Sequence, residues 1–534
     1  MAEAQSGEMK RTLTLTGVTV NAMALIAPGA FLWTTFQTQS ALTHHGSSTA
    51  HEMWTGLLFS LILAMLTAYS YAELARIYPD AGTGSSYYFA EAAFLDKERP
   101  EHQRYARSAK LTVGWISHLY YWIYPAIMVA FTATLFGYLY SALFHHTLTW
   151  LPLAGVSVLF AALVGYIAYR GINGSTMAAI TINVIQITCL LLVSVLFIWF
   201  RLAHPHPHSA AGPAYDQLNA FHVLIPHNYI NMLYQSTVAI LLLVGFESVT
   251  ALGAEARSPE RDIKRGVLLS LLIQGGVCYL FEYFAANFAV GGALISNPDP
   301  NNPKQLLGGY AAAANPKGTS APIGDMIKSI GEQHLGHSGQ TLAVIVALTV
   351  LLALIGTTLA CLNTGVRITY SMSKDKEMPS LLRFLHGKYA TPHTAIIVLT
   401  IVSAAVGAYA ANPYQVDNLT QITVASNSGT FLVYGATCLI ALIAFASHRD
   451  KHPVKHLLIP AVGAIMNVLE LLGVMYIGFS EGTGTTPGNY TKAIGIVVIW
   501  CIIGFIWVKF NPGRHHAKKV VEERMGPSRV SVSA

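Results

Sequence analysis

Apolar stretches of roughly twenty residues, separated by polar segments, recur along nearly the whole chain. A hydrocarbon core of about 30 Å takes roughly 20 apolar residues of helix to cross, so each stretch predicts a spanning helix. They lie near 14 to 38, 52 to 77, 111 to 143, 150 to 169, 174 to 201, 230 to 254, 266 to 291, 340 to 371, 392 to 411, 419 to 447, 455 to 479 and 491 to 510, which makes twelve. The polar start through Lys10 and Arg11 runs directly into the first stretch, which is long enough to stay in the membrane and is not read as a cleaved signal. Two connecting segments carry short helical patterns. Ser85 to Phe94, after the turn residues Pro79-Asp80-Ala81-Gly82, predicts an interfacial helix, and Gly324 to Leu335 an amphipathic one.

Spans one and six are interrupted, and they hold corresponding places in two halves of five helices each. Span one carries Ala27-Pro28-Gly29-Ala30-Phe31 near its middle, and span six carries Val244-Gly245-Phe246-Glu247. Proline lacks an amide donor and glycine tolerates open backbone. Irregular backbone at membrane depth survives only where it is buried or lines a cavity. Paired breaks therefore predict an inverted-repeat carrier with its binding site at midplane. Taken singly, each break also reads as an ordinary kink of a membrane helix.

Composition agrees with this picture. Hydrophobic residues make up 53% of the chain and charged residues 11%, against roughly 25% charged in soluble domains. With the amino terminus cytoplasmic, all 32 Lys and Arg residues lie at or near the inner face except Arg201, Lys304, Lys317, Lys328 and Lys492. The net charge of +6 thus reports orientation towards an anionic inner leaflet, not nucleic-acid binding. Cys189, Cys278, Cys361, Cys438 and Cys501 all fall inside predicted spans, with neither disulfide nor zinc spacing, and read as packing residues. Metal sites and cofactors are not expected, and a search for a nucleophile–base set or phosphate loop gives no enzyme reading. The many outer-loop histidines, including His204-Pro205-His206-Pro207-His208, read as a polar loop, with acid sensing and weak metal capture as the alternatives.

Four separated blocks carry a resemblance to a known family. Ser70-Tyr71-Ala72-Glu73-Leu74-Ala75-Arg76-Ile77-Tyr78-Pro79-Asp80-Ala81-Gly82 follows span two, and Gly245-Phe246-Glu247-Ser248 precedes Ala254-Glu255-Ala256-Arg257-Ser258-Pro259-Glu260-Arg261-Asp262-Ile263. Asn363-Thr364-Gly365-Val366-Arg367 with Tyr370 to Pro379 follows span eight, and Tyr389-Ala390-Thr391-Pro392 opens span nine. Together they resemble the amino acid permeases of the amino acid-polyamine-organocation (APC) superfamily. The resemblance implies an all-α membrane protein with a leucine-transporter-like core of five plus five inverted helices, broken helices one and six, and two peripheral helices. The core is then residues 14–447, with repeats at about 14–201 and 230–447. Peripheral helices occupy 448–510, and residues 1–13 and 511–534 are cytoplasmic tails. It also implies a plasma-membrane carrier of an amino acid or amine, working by alternating access and driven by protons, sodium or exchange.

Site roles follow from the same resemblance. Amides of Ala27, Gly29 and Ala30 bind the substrate carboxylate, as a helix terminus binds an anion. Carbonyls of Leu243, Val244 and Gly245 bind its ammonium. Pro28 departs from the commoner Gly-Ser-Gly form and removes one amide and one hydroxyl. Leu241 stands where related antiporters often place tryptophan, and Thr188 or Cys189 where proton-coupled members often have lysine. Thr357 and Thr358 are the sodium candidates. Phe31, Phe246 and Tyr124 are gate candidates by position, with Tyr120, Tyr121 and Trp122 nearby.

Ionisable residues inside a membrane are costly and functional by default. Glu247 is the leading candidate for proton coupling or for a cationic substrate group, against a structural hydrogen bond to broken-helix amides. Glu282 is a weaker one, and Glu470 reads as a peripheral or oligomer contact, leaving room for a homo-oligomer. His118 reads as a satisfied core histidine, Arg367 as a snorkelling side chain, and Glu73 and Glu255 as solvated ends or partners of Arg76 and Arg257. A substrate-sensing protein without turnover, a polyamine antiporter and a channel are the rival readings.

Overall fold

The computed structural model describes residues 13–26, 32–79, 84–95, 103–171, 176–204, 220–253, 256–290, 295–316, 318–336, 338–389, 391–413, 417–446, 448, 451–480 and 485–510. Among these, eleven helices are long and apolar enough to cross a bilayer: Ala50–Ile77, Tyr105–Phe144, Trp150–Tyr169, Ile180–Ala203, Tyr229–Thr250, Pro259–Val290, Gly339–Lys374, His393–Ala410, Asp417–Phe445, Pro453–Phe479 and Gly488–Phe510. They fall at spans two to twelve of the sequence. The first apolar stretch folds as two shorter helices, Leu15–Ile26 and Leu32–Ser40. Ala27, Pro28, Gly29, Ala30 and Phe31 between them lie outside the described residues, as do Ala254 and Glu255.

Span six is the most enclosed of the eleven, with 89% of its apolar window buried, and span twelve the least, with 17%. The interior is therefore organised around span six. Leu15–Ile26 packs against it, against Pro259–Leu271 of span seven and against spans five and eight. Spans eleven and twelve pack on each other and on span ten, at the periphery.

Two irregularities were not read from the apolar pattern. Span three divides into Gln103–Tyr121 and Tyr124–Phe144. Pro125, at the start of the second helix, has no N–H to continue the ladder. The Tyr121 carbonyl freed there faces Gly365 of span eight, where a Cβ would come within 2.8 Å of the oxygen. Span seven contains a π-helical stretch, Leu272–Tyr279, around Gly275 and Gly276. A Cβ at Gly275 would meet Leu61 at 2.7 Å and Leu243 at 2.9 Å, so this wide turn packs directly on the span-six break.

The connections hold more structure than the sequence suggests. Ser86–Leu95 is helical as predicted, and it is no loose surface helix, since Tyr87, Tyr88, Phe89 and Ala90 are buried against spans three and ten. Between spans seven and eight, an antiparallel ribbon pairs Ser296–Pro298 with Leu306–Gly308, followed by Gly309–Ala314. The amphipathic helix then covers Pro322–His334, burying Ile323, Met326, Ile327 and Ile330.

Span twelve is stapled to span three by tryptophans. Trp115 and Trp500 stack with centroids 5.0 Å apart and planes 23° off parallel. Each indole N–H donates to the other residue's carbonyl, at 2.9 and 3.0 Å. Gly504 leaves the room, because a Cβ there would lie 2.1 Å from the Trp115 ring.

Candidate functional site at the break in span six

Span six begins as an α-helix, Tyr229–Ala239, whose first amides are capped by the Asn228 side chain. It tightens to a 3-10 turn at Ile240–Leu242, opens at Leu243, Val244 and Gly245, and resumes as a 3-10 helix over Phe246–Leu252. Gly245 makes the opening possible. Its φ of +124° disfavours any side chain, and a Cβ would sit 2.8 Å from Leu25 Cβ in the adjacent helix of span one. Backbone groups freed by the break find partners on other spans. Tyr124 of span three donates to the Leu241 carbonyl at 3.3 Å, and Asn427 of span ten to the Thr237 carbonyl at 2.8 Å.

Glu247 is fully buried just after the opening. Four donors converge on its carboxylate. Tyr120 and Tyr121 hydroxyls donate to Oε1 at 3.1 and 3.2 Å, while the Tyr434 hydroxyl and the Gly245 amide donate to Oε2 at 2.8 and 3.0 Å. These donors come from spans three, ten and six, so one carboxylate ties three helices together. Hydrogen bonds to the charged form offset its burial. Phe246 points into the same aromatic cluster, with centroids 5.3 Å from Tyr434 and 6.0 Å from Tyr71. Tyr71 in turn accepts from Ser86, which also meets Thr437 of span ten.

A helix that stops at membrane depth leaves its last carbonyls unpaired. For Leu15–Ile26 two of them, those of Ala24 and Ile26, accept from side chains. Thr357 of span eight donates to Ala24 at 3.0 Å, and Tyr279 of span seven to Ile26 at 2.5 Å. Thr357 thus meets span one, although its hydroxyl lies equally near its own-helix Ala353 carbonyl, and Thr358 back-bonds to Leu354.

The two ends of the bundle differ. At the end where Leu15–Ile26 begins, charged groups tie elements together. Glu73 is buried and pairs with Lys264, with Arg76 at 2.8 Å and with His456 at 3.5 Å. Arg107 forks onto Glu377 with two contacts of 2.8 Å, and Lys110 bridges Glu91 at 2.7 Å and Asp375 at 2.6 Å. Tyr87 donates to Asp375 at 3.0 Å, and burial together with that carboxylate raises the phenol well above its usual range. The opposite end holds a cavity of about 480 Å³. Thr34 and Gln37 of span one, Tyr138 and Ser141 of span three, Thr319, Asp325 and Asn412 are among its lining residues. Burial pushes the Asp325 carboxyl up to about 6, against the opposing pull of Thr319, Lys328 and Tyr138.

The structure therefore gathers Leu243, Val244, Gly245, Phe246, Glu247, Tyr124 and Thr357 around one break. Several sequence expectations change. Tyr120 and Tyr121, noted only as neighbours of the gate candidates, donate to the Glu247 carboxylate. Glu73 is no solvated end, since it is buried in an ion cluster. Glu470, read as a peripheral or oligomer contact, is buried against span six with Oε1 2.5 Å from Ser236 Oγ. His118 is satisfied by Gly114 and Thr369, as read. Sequence reasoning did not single out Tyr71 and Tyr434 for the site. Tyr71 lay inside a family block, whereas nothing in the sequence around Tyr434 marks the face it presents.

Comparison with known proteins gives the family. The chain is 24% identical over 503 residues to the low-affinity putrescine importer PlaP of Escherichia coli, covering 93% of this chain and 94% of the relative. It is 23% identical over 533 residues to the branched-chain amino acid permease BcaP of Bacillus subtilis, covering 96% of each. The methylthioribose transporter of Bacillus subtilis matches at 22% over 467 residues, covering 85% of this chain and 84% of the relative. The amino acid permease family model matches residues 17–520. With that match running through the break, the carboxylate and the peripheral helices alike, the chain belongs to the amino acid permease family of the APC superfamily, a family of membrane transporters and not of enzymes.

Proposed function

We propose that this protein is a secondary active permease for an amino acid or a related amine, working by alternating access through twelve spans. Residues 14–201 and 230–447 form the two inverted repeats, spans eleven and twelve are peripheral, and both termini face the cytoplasm of a plasma-membrane carrier. The observation that carries the reading is the Glu247 carboxylate, buried beside an open helix and held by donors from spans three, six and ten. A proton arriving on Glu247 turns one acceptor into a donor. One of the phenols must then release its bond or accept, and the tie among the three spans loosens. Protonation is thereby linked to helix movement, and coupling is to protons or to exchange of a cationic substrate.

The contrast between the ends supports alternating access. Ion pairs fasten one end, and a polar cavity opens the other. Relatives named for putrescine and for branched-chain amino acids support an amine or amino acid as the cargo. Buried rings and a carboxylate suit an organic ammonium. The substrate carboxylate falls to the amides of Ala27, Gly29 and Ala30. A sodium-coupled reading draws on the Thr357 bridge to Ala24, and uptake with and without sodium separates it.

Glu247→Gln keeps the size and removes the titration. In proteoliposome uptake across a pH series, the variant is expected to lose the pH dependence of the natural protein. Unchanged pH dependence sinks the role of Glu247, though not the fold. A thermal-shift screen of amino acids and polyamines identifies the cargo.

A further inference from the structure

Away from the Glu247 cage, a buried polar seam runs where span eleven meets spans two, six, ten and twelve. Asn467 and Glu470 lie three residues apart on span eleven, hence on one face, and each is 1% exposed. Asn467 donates to Thr67 of span two at 3.2 Å and to its own-helix Gly463 carbonyl at 2.8 Å. Glu470 Oε1 lies 2.5 Å from Ser236 Oγ of span six, and Ser236 Oγ lies 2.7 Å from the Leu233 carbonyl. Glu470 Oε2 has no hydrogen-bond partner among the described residues. Neither has the Asn467 Oδ1 acceptor or the Asn427 Oδ1 acceptor of span ten.

A serine hydroxyl has one proton. It serves either the Leu233 carbonyl or Glu470, and a carbonyl can only accept. Both short contacts are satisfied together when the carboxyl of Glu470 is neutral. Its O–H then donates to Ser236 Oγ, and Ser236 donates to Leu233. A bare carboxylate in the seam would have at most one donor among the described residues, the Ser236 hydroxyl. That is costly at this depth. Titratable groups at the seam among the described residues include Tyr490 of span twelve, which shares a 2.7 Å hydrogen bond with Thr237, and Cys438 of span ten, whose thiol donates to Thr67 at 3.9 Å.

We propose that Glu470 is a proton-binding site of this transporter, loaded in this conformation, through which peripheral span eleven acts on span six. Release breaks the carboxyl O–H bond and passes the proton to water reaching the seam. Ser236 must then turn its own proton from Leu233 to the new carboxylate. That removes a back-bond from the last turns of Tyr229–Ala239, directly before the helix opens. Serine back-bonding bends helices, so the proton on span eleven sets the approach of span six to its break. The site is distinct from Glu247, although its part in coupling rests on the permease reading.

Infrared difference spectroscopy of the full chain in lipid, before and after a pH jump, tests occupancy without transport. The natural protein is expected to show a buried neutral-carboxyl band that disappears in Glu470→Gln and shifts in Ser236→Ala. The same band persisting unchanged in both variants overturns the assignment. Uptake then tests coupling. With Glu470→Gln, the fold-change between acidic and alkaline buffer is expected to shrink towards one while substrate-induced thermal shift is retained. A fold-change equal to that of the natural protein removes Glu470 from coupling, whatever Glu247→Gln shows, and loss of pH dependence in Glu247→Gln alone leaves the permease reading standing.

Discussion

Glu247 accepts from four donors, whereas Glu470 has a single serine hydroxyl in reach and Glu282 has no hydrogen-bond partner for either oxygen among the described residues. The three are equally buried. Burial alone therefore does not tell their roles apart; the donor count does, because only Glu247 is surrounded as an anion requires. Asp325, in the cavity at the far end, gives a pH prediction at this scale. Its carboxyl sits at about 6, above the usual 3.8, so the folded protein prefers it neutral. Between the two values the folded state holds a proton that the unfolded state has lost, so stability falls as pH rises through that window and stays low above about 6. Asp325→Asn removes the titration. In melting curves across pH, the natural protein is expected to lose ground to the variant up to that point and to run parallel above it. Parallel curves throughout would show that the carboxyl does not feel its burial.

At the scale of elements, the opening of span six rests on one glycine. Replacing Gly245 with alanine forces a positive φ on an alanine and drives its Cβ into Leu25. Strain of this kind costs about 1–3 kcal/mol, and it falls where span six packs on Leu25 of span one. Gly245→Ala is expected to lower the melting temperature and abolish uptake while the protein still inserts; full uptake would mean the opening is not needed. The positions of spans two to twelve were legible because a bilayer demands length and apolarity from each helix independently. The opening at Gly245 was legible too, since glycine marks it. The division of span three was signalled by Pro125 but hidden within an unbroken apolar run. The π turn of span seven was not legible, because its stability comes from close packing on Leu61 and Leu243. Tyr434 and Tyr71 escaped for a related reason. Periodicity does not show which face of a fully apolar span looks inward, and both are tyrosines among many.

Across the whole molecule, the end where Leu15–Ile26 begins is tied by charges that are mostly withdrawn from water. Arg107 and Glu377 are 13% and 5% exposed, and Lys110 and Asp375 both 5%. Removing one partner of such a pair leaves a buried charge unpaired, which costs several kcal/mol in the tightest cases. Arg107→Ala is expected to bias the protein towards opening at this end by about tenfold or more, since even about 1.4 kcal/mol of that cost is a factor of ten. A cysteine placed at buried Ala90, next to Glu91 of the charged cluster, in a background without the five native cysteines, reads the change as faster maleimide labelling. An unaltered rate would separate the ion pairs from gating. The tryptophan staple has a consequence of another kind, in the order of manufacture. Trp115 leaves the ribosome well before the helix carrying Trp500 and Gly504, which supplies the surface it stacks on. Until that later helix is made, the indole face of span three lacks this partner. The pair acts as a keystone, joining a span made early to one made some 385 residues afterwards.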